Sequence, residues 1–129
     1  MKLTNENYVI EAKNAIEFLK KEKENDRKKN LVTTTKIRGL LSMLSDIYNE
    51  IQTNPTNELS TEVRSRINYL KVRFLYEAGR ERTVKEFVQV ANILNHIEAI
   101  KGDKNEFILF YHYMEALIAY FKYYNLDKE

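Results

Sequence analysis

Apolar residues recur every three or four positions along almost the whole chain, the spacing of one buried helix face. Tyr8, Val9, Ala12, Ala15, Ile16 and Leu19 predict a first helix from Asn5 to about Lys21, with Thr4 as its cap. EKENDRKKN follows without a large apolar side chain and reads as a break. Ile37, Leu40, Leu41, Leu44, Ile47, Tyr48 and Ile51 give a second helix over Thr34–Ile51, capped from the run Thr33–Thr35. QTNPTNE around Pro55 turns the chain. Ser60 caps a third helix whose stripe is Val63, Ile67, Leu70, Phe74 and Ala78, with Gly79 as its expected left-handed stop. Thr83 with Glu86 is a capping-box pattern, so a fourth helix is expected from Thr83 to near Gly102, carrying Val84, Phe87, Val88, Ala91, Leu94 and Ile97 inward. Asp103 with Glu106 opens a fifth, from Lys104 to about Tyr124. This last helix is apolar nearly all round, which predicts a central helix of a bundle or half of an interface. The fold class is therefore all-α, a compact bundle of about five helices in one domain over residues 1–129, with 24–32 as a basic mobile loop.

Composition agrees. Only three Gly and one Pro in 129 residues favour long helices and short loops, and argue against a β-sandwich or a dinucleotide fold. The absence of Cys removes disulfides, thiolate metal sites and cysteine nucleophiles. No stretch is apolar enough for a signal peptide or a bilayer span, so the expectation is a cytoplasmic protein without a membrane partner.

A net charge of +2 conceals a segregated pattern. Lys20–Arg38 holds eight cations against three acids, whereas Gly39–Glu62 holds four acids and no cation. Such segregation makes a local field from a near-neutral total. The third helix is the centre of it. Advancing about 100° per residue, Arg66, Arg73 and Arg80 line one flank of the apolar stripe. Arg64 and Lys71 line the other, with Arg82 in register if the helix continues that far. No acid lies between Glu62 and Glu77, whereas a face built only for solubility usually mixes both signs at i,i+4. Tyr69 and Tyr76 point to the side of the arginine row, an arrangement that suits RNA, with rings on bases and guanidinium groups on phosphates. The competing reading is a solvated rim paired with acids of neighbouring helices, the tyrosines packing under another element. Lys36 and Arg38 stand at a helix start, against the preference of the dipole. They are either tolerated surface cations or the side chains around an anion bound there. In the loop, Arg27, Lys28 and Lys29 read as solvated or as phosphate contacts.

Catalytic patterns are missing. His96 and His112, the two histidines, fall on different predicted helices without HExxH or a carboxylate cluster, and read as packing or surface residues. GxxxxGK[ST] and GxSxG are absent. Glu77, Glu81 and Glu115 have the chemistry for acid–base work, but Glu77 and Glu81 suit pairing with Arg73, Arg80 or Lys85. Neither an enzymatic activity nor a cofactor or metal is expected.

Three segments, TTTKIRGLLSMLSDIYNEI, RINYLKVRFLYEAGRERTVKEFV and FYHYMEALIAYFKYY, resemble the small subunit of type III-A CRISPR-Cas (Csm) effector complexes. The likeness covers roughly Thr33 to Tyr124 and, more weakly, the YVIEAKNAI helix; Glu22–Val32 matches weakly. The segments are not catalytic signatures, and their order and spacing carry the resemblance. It implies a helical bundle without enzymatic activity, several copies of which stack along the crRNA–target RNA duplex beside repeated backbone subunits and join the large polymerase/cyclase-type subunit. RNA and DNA cleavage would belong to those other subunits. By motif position the RNA-contacting cations would be Lys36 and Arg38, Arg66 and Lys71, and Arg80 and Lys85, with Arg64 and Arg73 ranked second. Two rival classes stay open on the residues alone. One is a helix-turn-helix DNA-binding regulator using the helices around Gly79; the other is a protein-only adaptor using the tyrosine-rich last helix.

Overall fold

The computed structural model describes residues 2–126. Among the described residues six helices follow one another: α1 (Tyr8–Asn25), α2 (Thr34–Ile51), α3 (Thr61–Arg80), α4 (Arg82–Val90), α5 (Ile93–Glu98) and α6 (Lys104–Tyr123). The described residues form no strand, only an isolated antiparallel bridge between Glu58 and Asp103. In it the Leu59 N–H donates to Gly102 O at 2.9 Å and the Lys104 N–H to Asn57 O at 2.7 Å. This ties the turn before α3 to the turn before α6.

α6 is the axis of the bundle, packed against both α1 and α2, while α3 lies on α4 and on the edge of α2. The near-complete apolar circumference of α6 explains its place, since Phe107, Leu109, Phe110, Tyr113, Met114, Leu117 and Phe121 are all buried. Phe74 from α3 and Phe87 from α4 close the same core. Asp103 caps α6 as expected, accepting from the Asn105 and Glu106 N–H groups. Ser60 and Thr33 cap α3 and α2.

Four boundaries differ from the sequence expectation. α1 starts at Tyr8, because Thr4 and Asn7 first close a reciprocal turn, the Thr4 N–H donating to Asn7 Oδ1 at 2.8 Å and the Asn7 N–H to Thr4 Oγ1 at 3.1 Å. It runs on to Asn25, so the helix-free stretch expected from Glu22 begins instead at Asp26. Gly79 does not stop α3: it is helical, the helix continues to Arg80, and the chain leaves through Glu81 in an extended conformation. α4 then starts at Arg82, with no side-chain cap from Thr83.

The expected fourth helix is two helices. Asn92 takes a left-handed conformation at φ 57°, ending α4 and starting α5; Asn tolerates that region better than other non-glycine residues. Buried Tyr113 supports the break, its hydroxyl donating to Ala91 O at 2.9 Å. Val88, Ala91, Leu94 and Ile97 keep the helical period straight through it, which hides it from pattern reading. α5 ends into Lys101 and Gly102, both at positive φ. At Gly102, φ is 78° and a Cβ would meet the Arg64 guanidinium at 2.7 Å, so glycine is favoured by backbone and neighbour together.

Candidate nucleic-acid interface

The eight cations singled out by the sequence do not form one surface row. Folding distributes them over three neighbourhoods, and in each it supplies carboxylates that the linear reading did not place there.

The first neighbourhood is where the start of α2 meets the start of α4. Lys36 reaches Glu81 at 2.6 Å across this junction. Lys29 reaches Glu86 on α4 at 2.9 Å, so the basic loop is joined to the body of the protein at this point. Lys29, Asn30, Arg82, Thr83, Lys85, Glu86 and Gln89 line a shallow depression beside it. Among the described residues Arg38, Arg82 and Lys85 form no ion pair, and neither α2 nor α4 carries an acid in its first turn. Glu81 is itself the cap residue of α4, so the helix start left without an acid is that of α2, where Lys36 and the free N–H groups would favour an anion once Glu81 is displaced.

The second neighbourhood is the α3 flank facing α2. Arg66 pairs with Glu50 of α2. Arg73 and Arg80 share Glu77 at 4.0 and 3.4 Å. Arg80 also lies over the Tyr76 ring, 5.6 Å from its centroid, a cation–π contact. The third is the opposite flank. Arg64 pairs with Glu58 at 3.0 Å and donates from Nε to Leu59 O at 3.1 Å. Lys71 pairs with Glu98 of α5. Arg82, expected in register with Arg64 and Lys71, is not: the chain turns at Glu81, and Arg82 opens α4.

The acid-free run along α3 is thus compensated from neighbouring elements by Glu50, Glu58 and Glu98, which are invisible to i,i+4 reasoning. Each of these pairs is partly solvent-exposed and so contributes at most ~1 kcal/mol. A phosphate can displace such a carboxylate at little cost.

Tyr69 and Tyr76 are not covered by another helix. They are 62% and 59% exposed, on the side of α3 opposite its buried stripe, and Val72 and Leu75 are exposed with them. The outward side of α3 thus carries apolar Val72 and Leu75 beside the two tyrosines, which the period of its buried stripe does not reveal. The tyrosines of α6 mostly serve the interior: Tyr113 is buried, and Tyr111 stacks on Tyr48 with ring centroids 3.9 Å apart.

The histidines stand apart from the cations. His96 is buried edge-on against Tyr113 at 5.0 Å, and burial lowers its pKa from 6.5 to about 4, so it is neutral near pH 7. His112 lies among Tyr8, Tyr48 and Tyr111. Among the described residues no three His, Asp or Glu side chains gather as a metal site. No described helix is long and apolar enough to cross a membrane.

Comparison with known proteins adds the family. A family model described as Csm2 Type III-A matches residues 11–127. Among similar relatives is the "CRISPR system Cms protein Csm2" of Streptococcus thermophilus, 45% identical over 123 residues that span 95% of this chain and 94% of the relative. A protein of the same description from Mycobacterium tuberculosis is 40% identical over 92 residues, 71% of this chain and 74% of the relative. A third, from Enterococcus italicus, is 33% identical over 122 residues, 89% of this chain and 87% of the relative. With the family match running through all six helices and the likeness spanning nearly the full length of the first relative, this chain belongs to the Csm2 family of type III-A CRISPR systems.

Proposed function

We propose that this protein is the non-catalytic small subunit of a type III-A CRISPR RNA-guided interference complex acting in antiviral defence in the cytoplasm. Several copies stack along the crRNA–target RNA duplex, beside the backbone subunits and the large subunit, and hold its phosphate backbone through basic helix faces. Lys36, Arg38, Arg66, Lys71, Arg80 and Lys85 make the principal contacts, with Arg64 and Arg73 in support. One observation carries this reading beyond the family: five of the eight cations lie along one 20-residue helix, α3, while Lys36 and Arg38 stand on the first turns of α2 and Lys85 on the first turn of α4. A helix of that length spans about 30 Å, enough to follow a backbone over several phosphates. RNA-guided effectors leave sequence to base pairing and ask the protein for backbone and shape, which such a surface supplies.

The helix-turn-helix alternative fits less well. α4 has nine residues, and of the base-reading candidates Lys85, Gln89 and Asn92 the last lies outside it. The test is alanine at the six principal positions, with affinity for a guide–target duplex measured against salt. For every cation that no longer meets a phosphate, the magnitude of the salt slope should fall by about 0.7–0.9. Unchanged affinity and slope would refute the assignment and leave protein–protein assembly as the role of the bundle.

A further inference from the structure

The outward ridge of α3 is unexplained by a backbone-gripping role. Tyr69, Val72, Leu75 and Tyr76 are each about half exposed or more, on the side of the helix that faces away from Ile67, Leu70 and Phe74. A helix with one buried stripe is normally polar on its far side. Here two large rings stand in solvent, and beyond Tyr76 the ridge ends in open space, with no atom within 4 Å of a Cβ placed on Gly79.

The flanks say what covers the ridge. Arg66, Arg73 and Arg80 run along one side, Arg64 and Lys71 along the other. A second copy laid antiparallel and two-fold about Val72 would set each flank against the same flank of its mate, bringing Lys71 to Lys71, Arg73 to Arg73 and Arg66 close to Arg80. Like charges facing across an interface oppose that pairing. The complementary occupant carries negative charge on its flanks and flat apolar faces between. A duplex hides its base faces and would leave the rings wet. An unpaired strand offers both features, bases stacking on aromatic rings and phosphates on guanidinium groups.

We infer that the outer ridge of α3 is a stacking rail for unpaired RNA bases, Tyr69 and Tyr76 each receiving a base while Arg73 and Arg80 hold the flanking phosphates. The inference rests on the RNA-binding reading above and adds the unpaired strand as its ligand. Tyr69 and Tyr76 are seven residues apart, about 10 Å along the axis, close to the length of three steps of a stacked strand at roughly 3.4 Å each. Arg80 already lies over Tyr76, so cation and ring are arranged together before any ligand arrives.

The test compares two strands of equal charge: a twelve-nucleotide oligouridylate and an abasic ribose-phosphate strand of the same length. Tyrosine fluorescence and anisotropy are followed with the full chain at low salt. The expected result is tighter binding of the uridylate with quenching. Tyr69→Ala and Tyr76→Ala should each weaken uridylate binding about tenfold while leaving abasic binding and the salt slope unchanged. Tyr→Phe at either position should retain binding. Both tyrosines are surface residues, and circular dichroism verifies that the variants fold. Equal affinity for the two strands, unchanged in the double alanine variant, would overturn the stacking rail while leaving the phosphate reading intact. Binding of neither strand would overturn the rail, and a guide–target duplex titrated alongside, bound or not, would decide whether the phosphate reading falls with it. A concentration-dependent dimer abolished by the double alanine variant would make the ridge an interface between copies and would also overturn the proposal.

Discussion

Removing three acids should make this protein a better RNA binder. Lys36, Arg66 and Lys71, three of the six principal candidates, are held by Glu81, Glu50 and Glu98, each from a different helix or turn. To bind a phosphate each cation must leave its carboxylate, and the carboxylate then repels the incoming strand. The Lys36–Glu81 pair indicates the scale: its side chains are 44% and 36% exposed, so despite a separation of 2.6 Å it is screened by water. Net coupling in such pairs is at most ~1 kcal/mol, a factor of about five in affinity. Glu→Gln keeps the side-chain volume and removes the charge. Each of E50Q, E81Q and E98Q should therefore raise affinity for a guide–target duplex up to about fivefold at low salt. The three pairs involve separate partners and share no residue, so the effects should roughly add in free energy, giving the triple variant a gain of up to about a hundredfold or slightly more. Fluorescence anisotropy with a labelled duplex at about 50 and 200 mM salt is the assay, the gain shrinking as salt rises. Unchanged or weaker binding by the triple variant would show that these cations serve helix–helix pairing and are not released to RNA. Its melting temperature should fall by at most about 10 °C, the scale set by three pairs of up to ~1 kcal/mol each.

Three further outcomes test the fold beneath the site. Tyr113→Phe removes the hydroxyl that holds Ala91 O at the α4–α5 break, and should cost about 1–3 kcal/mol in urea unfolding because a buried carbonyl loses its donor. His96 has a folded pKa of about 4 against an ordinary 6.5. Between those values the unfolded chain binds the extra proton, so stability is full above about pH 6.5 and is lost as pH falls toward 4, by up to about 3 kcal/mol; His96→Gln should remove that component from the pH profile. Gly102→Ala forces a side chain onto a residue at φ 78° and against Arg64, and should destabilise by about 1–2 kcal/mol, measured by thermal denaturation.

The periodicity of apolar residues determined most of the secondary structure by itself. Ile37 through Ile51 and Val63 through Ala78 each have one buried face whatever surrounds them, and Ser60, Thr33 and Asp103 cap the helices that they precede. The all-α class and the central place of α6 follow from the same local arithmetic of burial. Tertiary structure decided the rest. The split at Asn92 leaves the apolar period undisturbed, and what supports it is a hydroxyl from Tyr113, remote in the chain. Gly79 continues its helix because nothing requires a left-handed turn there, and the chain turns at Glu81 beside Lys36 instead. The cations themselves were legible as residues, but their electrostatic state was not. Glu50 and Glu98 lie 16 and 27 positions from Arg66 and Lys71, and charge interacts through space with whatever folding brings near. The same reason separates the two sides of α3: sequence shows that Tyr69, Val72, Leu75 and Tyr76 are apolar, and only the packing of the other helices leaves them uncovered.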